Sequence, residues 1–334
     1  MIKFHEYAER KGLITDSNVL KHIAALESSI TKKTFQEVAD LVYKFTFDED
    51  PDPDIFTGHK FFKTKVVKPT FGREDLMRKG LMPFRMIFAR HAEKIRMPGN
   101  PEFDTTGVVR FENFLSKEHK NQVLEEIKKF PLIENIQPHN TVLGNVTKEQ
   151  TSGIYKFIYE TDLYNICVQA AHRKPEDTAA RDHFLKTSYI QRLQNNPGMN
   201  DIQKVCHSDV FFPCLKYWYF PEGVSLEEGP FNYALNSVQL TYDVLDYWYE
   251  ESIKIVNDTW DRKYNKGHEE GSLRAFPEDL AKMGYALTPI TVPPNTLIIG
   301  NTSGWHARGD AIIPSVRNAV HGAIRVETPY DNYA

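Results

Sequence analysis

Cysteine is scarce in this chain: the 334 residues include only Cys167, Cys206 and Cys214. An odd number without CxxC spacing excludes a disulfide framework and a zinc ribbon, and leaves buried thiols as the expectation. Long apolar runs are missing too. No stretch approaches the roughly 20 residues that a membrane-spanning helix needs. The opening MIKFHEYAERKGLITDSN has neither the apolar core nor the small-residue cleavage site of a secretory signal. The pattern predicts a cytoplasmic protein with no membrane partner. Neither sign of charge is in excess: 41 basic residues face 45 acidic ones, for a net charge of −4, which offers no footing for a nucleic-acid partner. Internal repeats and low-complexity tracts are absent, and nothing in the sequence fixes an oligomeric state.

What is present is ordinary globular material, 41% hydrophobic and 26% charged, in a chain long enough for one large domain or two smaller ones. Helical spacing of apolar residues predicts two amphipathic helices from Ser17 to about Phe45. Leu20, Ile23 and Ile30 lie on the first, and Phe35, Val38, Ala39, Val42 and Phe45 on the second. DEDPDPD at 48–54 has two prolines and lacks the Gly and Glu of a calcium loop, so it reads as a solvated turn. Lysines at 60, 63, 65 and 68 read as a solvated face. The Pro-, Gly- and Asp-rich RMPGNPEFDTTG at 96–107 marks a boundary. It separates a helical N-terminal extension, 1–105, packed on the core from a main domain, 106–334.

The main domain opens with a short strand and a helix from an N-cap at Ser116 to about Lys129, with Val123, Leu124 and Ile127 on its buried side. Strand-like runs follow at 188–194, 215–220, 230–235, 289–292, 296–300 and 318–326, punctuated by NNPG, PEG, EEGP and PPN. They predict a mostly β, largely antiparallel structure with flanking helices, interrupted by a helical insertion at about 241–286.

Within KVCHSDVFF at 204–212, His207 and Asp209 are two positions apart and project to one side of an extended chain. A His-x-Asp pair is a weak signal alone. A third candidate, His306, stands in NTSGWHARGD just beyond the apolar run TLIIGN, where a strand ends. Two histidines and one carboxylate are the donor set that leaves three positions of an octahedral Fe(II) open. Farther on, alternation groups Arg317, Ala319, His321 and Ala323 on one strand face, opposite Val320, Ile324 and Val326. With such small inward neighbours Arg317 is predicted to point inward, where its guanidinium offers a two-pronged fork for a carboxylate.

Taken together, GVVRFENFLSKEH, the HSD at 207–209, EEGPFNYALNS at 227–237, the WH at 305–306 and Arg317 make the region from Gly107 to Val326 similar to the phytanoyl-CoA dioxygenase family of Fe(II)/2-oxoglutarate oxygenases, which includes the ectoine hydroxylases. The resemblance implies a double-stranded β-helix (jelly-roll, cupin-like) core. It implies iron ligands at His207, Asp209 and His306, a 2-oxoglutarate anchor at Arg317, and a further cosubstrate contact at Gln191. It also implies Fe(II), 2-oxoglutarate and O2 as the reaction partners. The chain departs from the family where the segment after EEGP runs on as ALNSVQ into a helical stretch instead of ending in Gly-Ser-His. The first hundred or so residues have no counterpart there.

The expected reaction is hydroxylation or desaturation of a small, acid-bearing metabolite, coupled to decarboxylation of 2-oxoglutarate to succinate. Phe211, Trp218 and Trp305, with Phe212, are expected as an apolar substrate wall, and Arg192, Lys216 and Arg308 as cations for its acid group. A lipid-like or thioester-bound acyl chain is the alternative substrate. Two other readings are a cupin-like metal-dependent isomerase or hydrolase without a keto acid, and a catalytically silent metal-binding module. Arg317 weighs against the first and the complete residue set against the second.

Overall fold

In the computed structural model, residues 1–29, 78, 80–96, 99–130, 141–256 and 272–324 are described. The expected helix carrying Phe35 to Phe45, the acidic turn, the lysine face and Val326 lie outside them.

Two antiparallel sheets make the centre. The larger is built from β1 (Val108–Phe111), β2 (Thr141–Asn145), β3 (Tyr189–Asn195), β5 (Leu215–Phe220), β9 (Thr296–Asn301) and β11 (Ser315–Ile324), in the order β1-β9-β5-β11-β3-β2. The smaller has β4 (His207–Ser208), β6 (Phe231–Tyr233), β7 (Leu273–Arg274), β8 (Thr288–Ile290) and β10 (His306–Arg308), in the order β7-β4-β10-β6-β8. Consecutive strands alternate between the two sheets from β3 to β6 and again from β8 to β11, in a jelly-roll-like arrangement, with β7 added to the smaller sheet. Helices nevertheless cover more of the described chain than strands do.

Period-two alternation explains why the large sheet is buried on both faces. Ile190, Tyr217, Tyr219, Leu297, Ile299, Val320 and Ile324 share one core with helices from the 117–187 region. Phe220, Ile298 and Ala319 point the other way, toward Tyr233 of the small sheet. The helix Lys117–Lys129 begins as the sequence predicts: the Ser116 hydroxyl accepts from the His119 N–H, and Val123 and Ile127 face inward. A third core joins Phe4, Tyr7, Phe84, Met86 and Phe88 from N-terminal helices to Val210, Phe211, Phe212, Trp248 and Trp305.

Several elements differ from the sequence expectation. The boundary loop holds a six-residue helix, Pro101–Thr106, capped by Asn100 and ended by Gly107 at φ 82. Three helices, Ser152–Glu160, Leu163–Ala170 and Thr178–Thr187, fill a stretch with no predicted element. Within the expected helical insertion lies a strand, β7, which pairs with β4. Arg317 lies inside β11, since that strand starts at Ser315.

Candidate metal centre

The pairing of β4 with β10 sets His207 directly opposite His306, with ring centroids 4.3 Å apart. Each Nδ1–H donates to a backbone carbonyl two residues earlier, His207 to Val205 at 2.8 Å and His306 to Gly304 at 2.9 Å. A carbonyl only accepts, so the proton sits on Nδ1 and each Nε2 keeps its lone pair. Asp209 follows just past the end of β4, held by its N–H to the Thr302 carbonyl at 2.8 Å. Its Oδ1 is 3.8 Å from the His207 Nε2 and 3.9 Å from the His306 Nε2. One ligand atom from each of the three lies within 4.8 Å of the others. Two imidazole lone pairs and one carboxylate oxygen converging in this way fit a divalent transition metal, Fe(II) among them.

The electrostatics keep the donors ready. Burial, followed by the neighbouring His306, pushes the His207 pKa well down, and burial likewise lowers that of His306, so both rings stay neutral. Burial alone raises the Asp209 carboxyl. The Lys216 ammonium outweighs it and holds the group below the usual carboxylate range. Lys216 reaches across from β5, its Nζ 2.5 Å from the Asp209 Oδ2.

A cavity of about 220 Å³ opens beside the triad, lined among others by His207, His306, Gln191, Lys216, Trp218, Arg308 and Arg317. One Arg317 amino group donates to the Gly229 carbonyl at 2.8 Å. Its buried Nε has no hydrogen-bond partner among the described residues. Burial, with Arg308 adding, brings the guanidinium down to about 9. Gly229 adopts φ +69, and a Cβ there would collide with the Gly309 carbonyl and the Asn195 amide, so only glycine presents this carbonyl. Arg308 is committed to Asp201 through its guanidinium.

Four of the sequence-predicted residues are elsewhere. Tyr189, Gln191 and Leu193 line the cavity, so alternation turns Arg192 to the opposite face of β3. Phe211 and Trp305 are buried in the core shared with the N-terminal helices, Phe211 under Arg85 at 5.0 Å and Trp305 against Tyr247 at 5.6 Å. Phe212 is in the same core. The apolar wall is instead Trp218 and Phe231, with ring centroids 5.1 Å apart. His321, placed inward by its alternation but given no role, lines the cavity as well, stacked on Trp218 at 5.0 Å with its Nδ1–H donated to the Tyr217 carbonyl at 2.7 Å.

No protein-family model matches the chain, and no curated protein matches it either. Among solved structures it is similar to the epimerase SnoN in complex with Fe3+, alpha ketoglutarate and nogalamycin RO, at TM-score 0.44 and 12% identity over 70% of this chain and 83% of that one. It is similar to HygX from Streptomyces hygroscopicus with nickel and 2-oxoglutarate bound, at TM-score 0.38 and 14% identity over 66% and 83%. It is also similar to AviO1 from Streptomyces viridochromogenes Tue57, at TM-score 0.39 and 10% identity over 72% and 96%. Likeness at this level leaves the activity to be argued from the site's own residues.

Proposed function

We propose that the protein is an Fe(II)/2-oxoglutarate-dependent oxygenase of the phytanoyl-CoA dioxygenase kind, hydroxylating or desaturating a small, acid-bearing metabolite. One observation carries the reading: two lone-pair imidazole nitrogens face a single Asp209 oxygen at 3.8 and 3.9 Å, beside a cavity that also holds Arg317 with its Nε unpaired. His207, Asp209 and His306 hold the metal on one side and leave the cavity side open. Arg317 is held by Gly229 through one amino group and presents the rest of its fork to the distal carboxylate of the cosubstrate, with Gln191 on the neighbouring strand. Bound iron and 2-oxoglutarate supply the oxidation, with release of succinate and carbon dioxide. The chain's part is to orient both and to keep bulk water from a buried site.

The cavity, at about 220 Å³, lies below the usual range of roughly 300–1,000 Å³ for drug-sized ligands. That size supports a small substrate over a long acyl chain. Of the three cations predicted for the substrate's acid, Arg192 faces away and Arg308 is held by Asp201. Lys216 is therefore the one to carry the acid-bearing reading. The test is anaerobic titration of the protein with Fe(II) and then 2-oxoglutarate, watched for the visible charge-transfer band of a chelated keto acid, followed by succinate release across a panel of small acids. A metal that binds without that band would favour a cupin-like isomerase or hydrolase. Failure to bind metal at all would leave neither reading standing.

A further inference from the structure

Of the three cationic side chains lining the cavity, Arg308, Arg317 and Lys216, two are matched once the site is loaded and the third is not. Arg308 is neutralised by Asp201 at the wall. Arg317 gains the distal carboxylate of 2-oxoglutarate under the reading above, on which this inference rests. A divalent metal with the Asp209 carboxylate and the chelating carboxylate of the cosubstrate is likewise neutral. Asp209, however, is also the only carboxylate paired with Lys216 among the described residues. When the metal takes that carboxylate's charge, the ammonium stays beside Oδ2 but no longer has a counter-ion of its own.

The other groups around Lys216 do not supply one. Tyr189, Trp218 and His321 line the same cavity and are uncharged: burial raises the Tyr189 phenol, and burial with Lys216 beside it brings His321 down to about 3. Glu228, which acts on Arg317, does not line the cavity. A half-buried ammonium beside a neutral metal site is left to take its counter-ion from what enters the cavity. An ammonium has three N–H donors, and only one is spent on Asp209.

We infer that Lys216 is the anion-binding group of the substrate half of the cavity, so the loaded site selects a substrate carrying a single negative charge, a carboxylate, sulfonate or phosphate diester. Lys216 lines the cavity together with the stacked pair of His321 and Trp218, so the substrate's acid would meet the ammonium beside that pair. Neutral analogues leave the Lys216 charge unmatched, and dianions overfill it.

The test uses Zn(II)-loaded protein, which does not turn over, in calorimetric titrations. 2-Oxoglutarate is added first. No binding at that step sinks the cosubstrate reading and this inference with it. The ternary complex is then titrated with propane-1-sulfonate, a weak metal ligand, and with neutral propane-1-sulfonamide. Wild type is expected to bind the sulfonate at least tenfold tighter than the sulfonamide. Lys216→Met should lose that preference and Lys216→Arg should keep it, with Lys216→Gln in place of the Met variant if that one fails to fold. Equal binding of the two probes by wild type, or a preference surviving in Lys216→Met, overturns the inference while leaving the cosubstrate reading intact. Zn(II) affinity gives a second readout. Removing a cation beside the site should leave it unchanged or tighter, and a tenfold loss would make Lys216 a support for Asp209 instead.

Discussion

At the triad each side chain carries a separate share of the site, which makes single substitutions informative. His306 contributes one of the two neutral nitrogens, and its ring is oriented by the Gly304 carbonyl at 2.9 Å. His306→Ala removes a donor that no other side chain in the triad replaces, so anaerobic Fe(II) binding should weaken by at least tenfold to a hundredfold while the circular dichroism spectrum is retained. Full iron-dependent turnover by this variant would remove His306 from the ligand set. Arg317 acts at the other end of the cavity. Losing one partner of a buried charge pair costs on the order of 2–5 kcal/mol, so Arg317→Ala should raise the 2-oxoglutarate concentration needed for half-maximal succinate release by about thirtyfold or more. Arg317→Lys keeps the charge but loses the fork and should fall between the two. An unchanged requirement in Arg317→Ala would refute the anchoring role.

The elements that bring these side chains together were legible in proportion to their length. TLIIGN and LKYWYF each span enough residues for the strand pattern to show, and both are strands over nearly the expected ranges. β4 and β7 are two residues each, too short to carry any period, so the pairing that seats His207 was not readable as a ladder. The helix Ser152–Glu160 has Ile154, Phe157 and Ile158 at helical spacing, but its aromatic and β-branched composition speaks equally for a strand. His207, Asp209 and His306 were recoverable because their types and strand-end context are local. The partner of Arg308 was not, since Asp201 is 107 positions away in sequence. Arg192 and Gln191 are adjacent, and alternation alone does not say which of the two faces the cavity. Junctions between elements are equally hidden. Asn295, at φ 66, accepts from the Leu115 N–H at 3.0 Å and the Tyr219 hydroxyl at 2.7 Å and donates to the Leu115 carbonyl at 2.7 Å, tying the start of β9 to the loop before the 117–129 helix. Asn295→Ala strands three buried polar groups and should cost about 2–4 kcal/mol in urea unfolding; a loss below about 0.5 kcal/mol would show that water replaces the amide.

For the molecule as a whole, the cavity's neutrality sets how stability depends on pH. His321 is buried, its Nδ1–H is fixed on the Tyr217 carbonyl, and burial together with Lys216 lowers its pKa from 6.5 to about 3, against smaller upward pulls from that carbonyl and from Asp209. Below pH 6.5 the unfolded chain takes up a proton at this position and the folded chain does not until about pH 3. Stability contributed by neutral His321 is therefore complete above pH 6.5 and is lost progressively as the pH falls through that window, by up to about 1.4 kcal/mol per pH unit. In the metal-free protein His207 and His306, also held neutral, add losses of the same sign. His321→Gln removes one titrating group and leaves the others, so the comparison isolates it even though the substitution lowers stability at every pH by breaking the stack on Trp218. Urea midpoints of the metal-free wild type and of His321→Gln at pH 7 and pH 5 give two losses to compare. Wild type should lose about 2 kcal/mol more than the variant over that interval. Equal losses would mean that His321 accepts its proton within the folded cavity, and the neutral wall facing Lys216 would have to be abandoned.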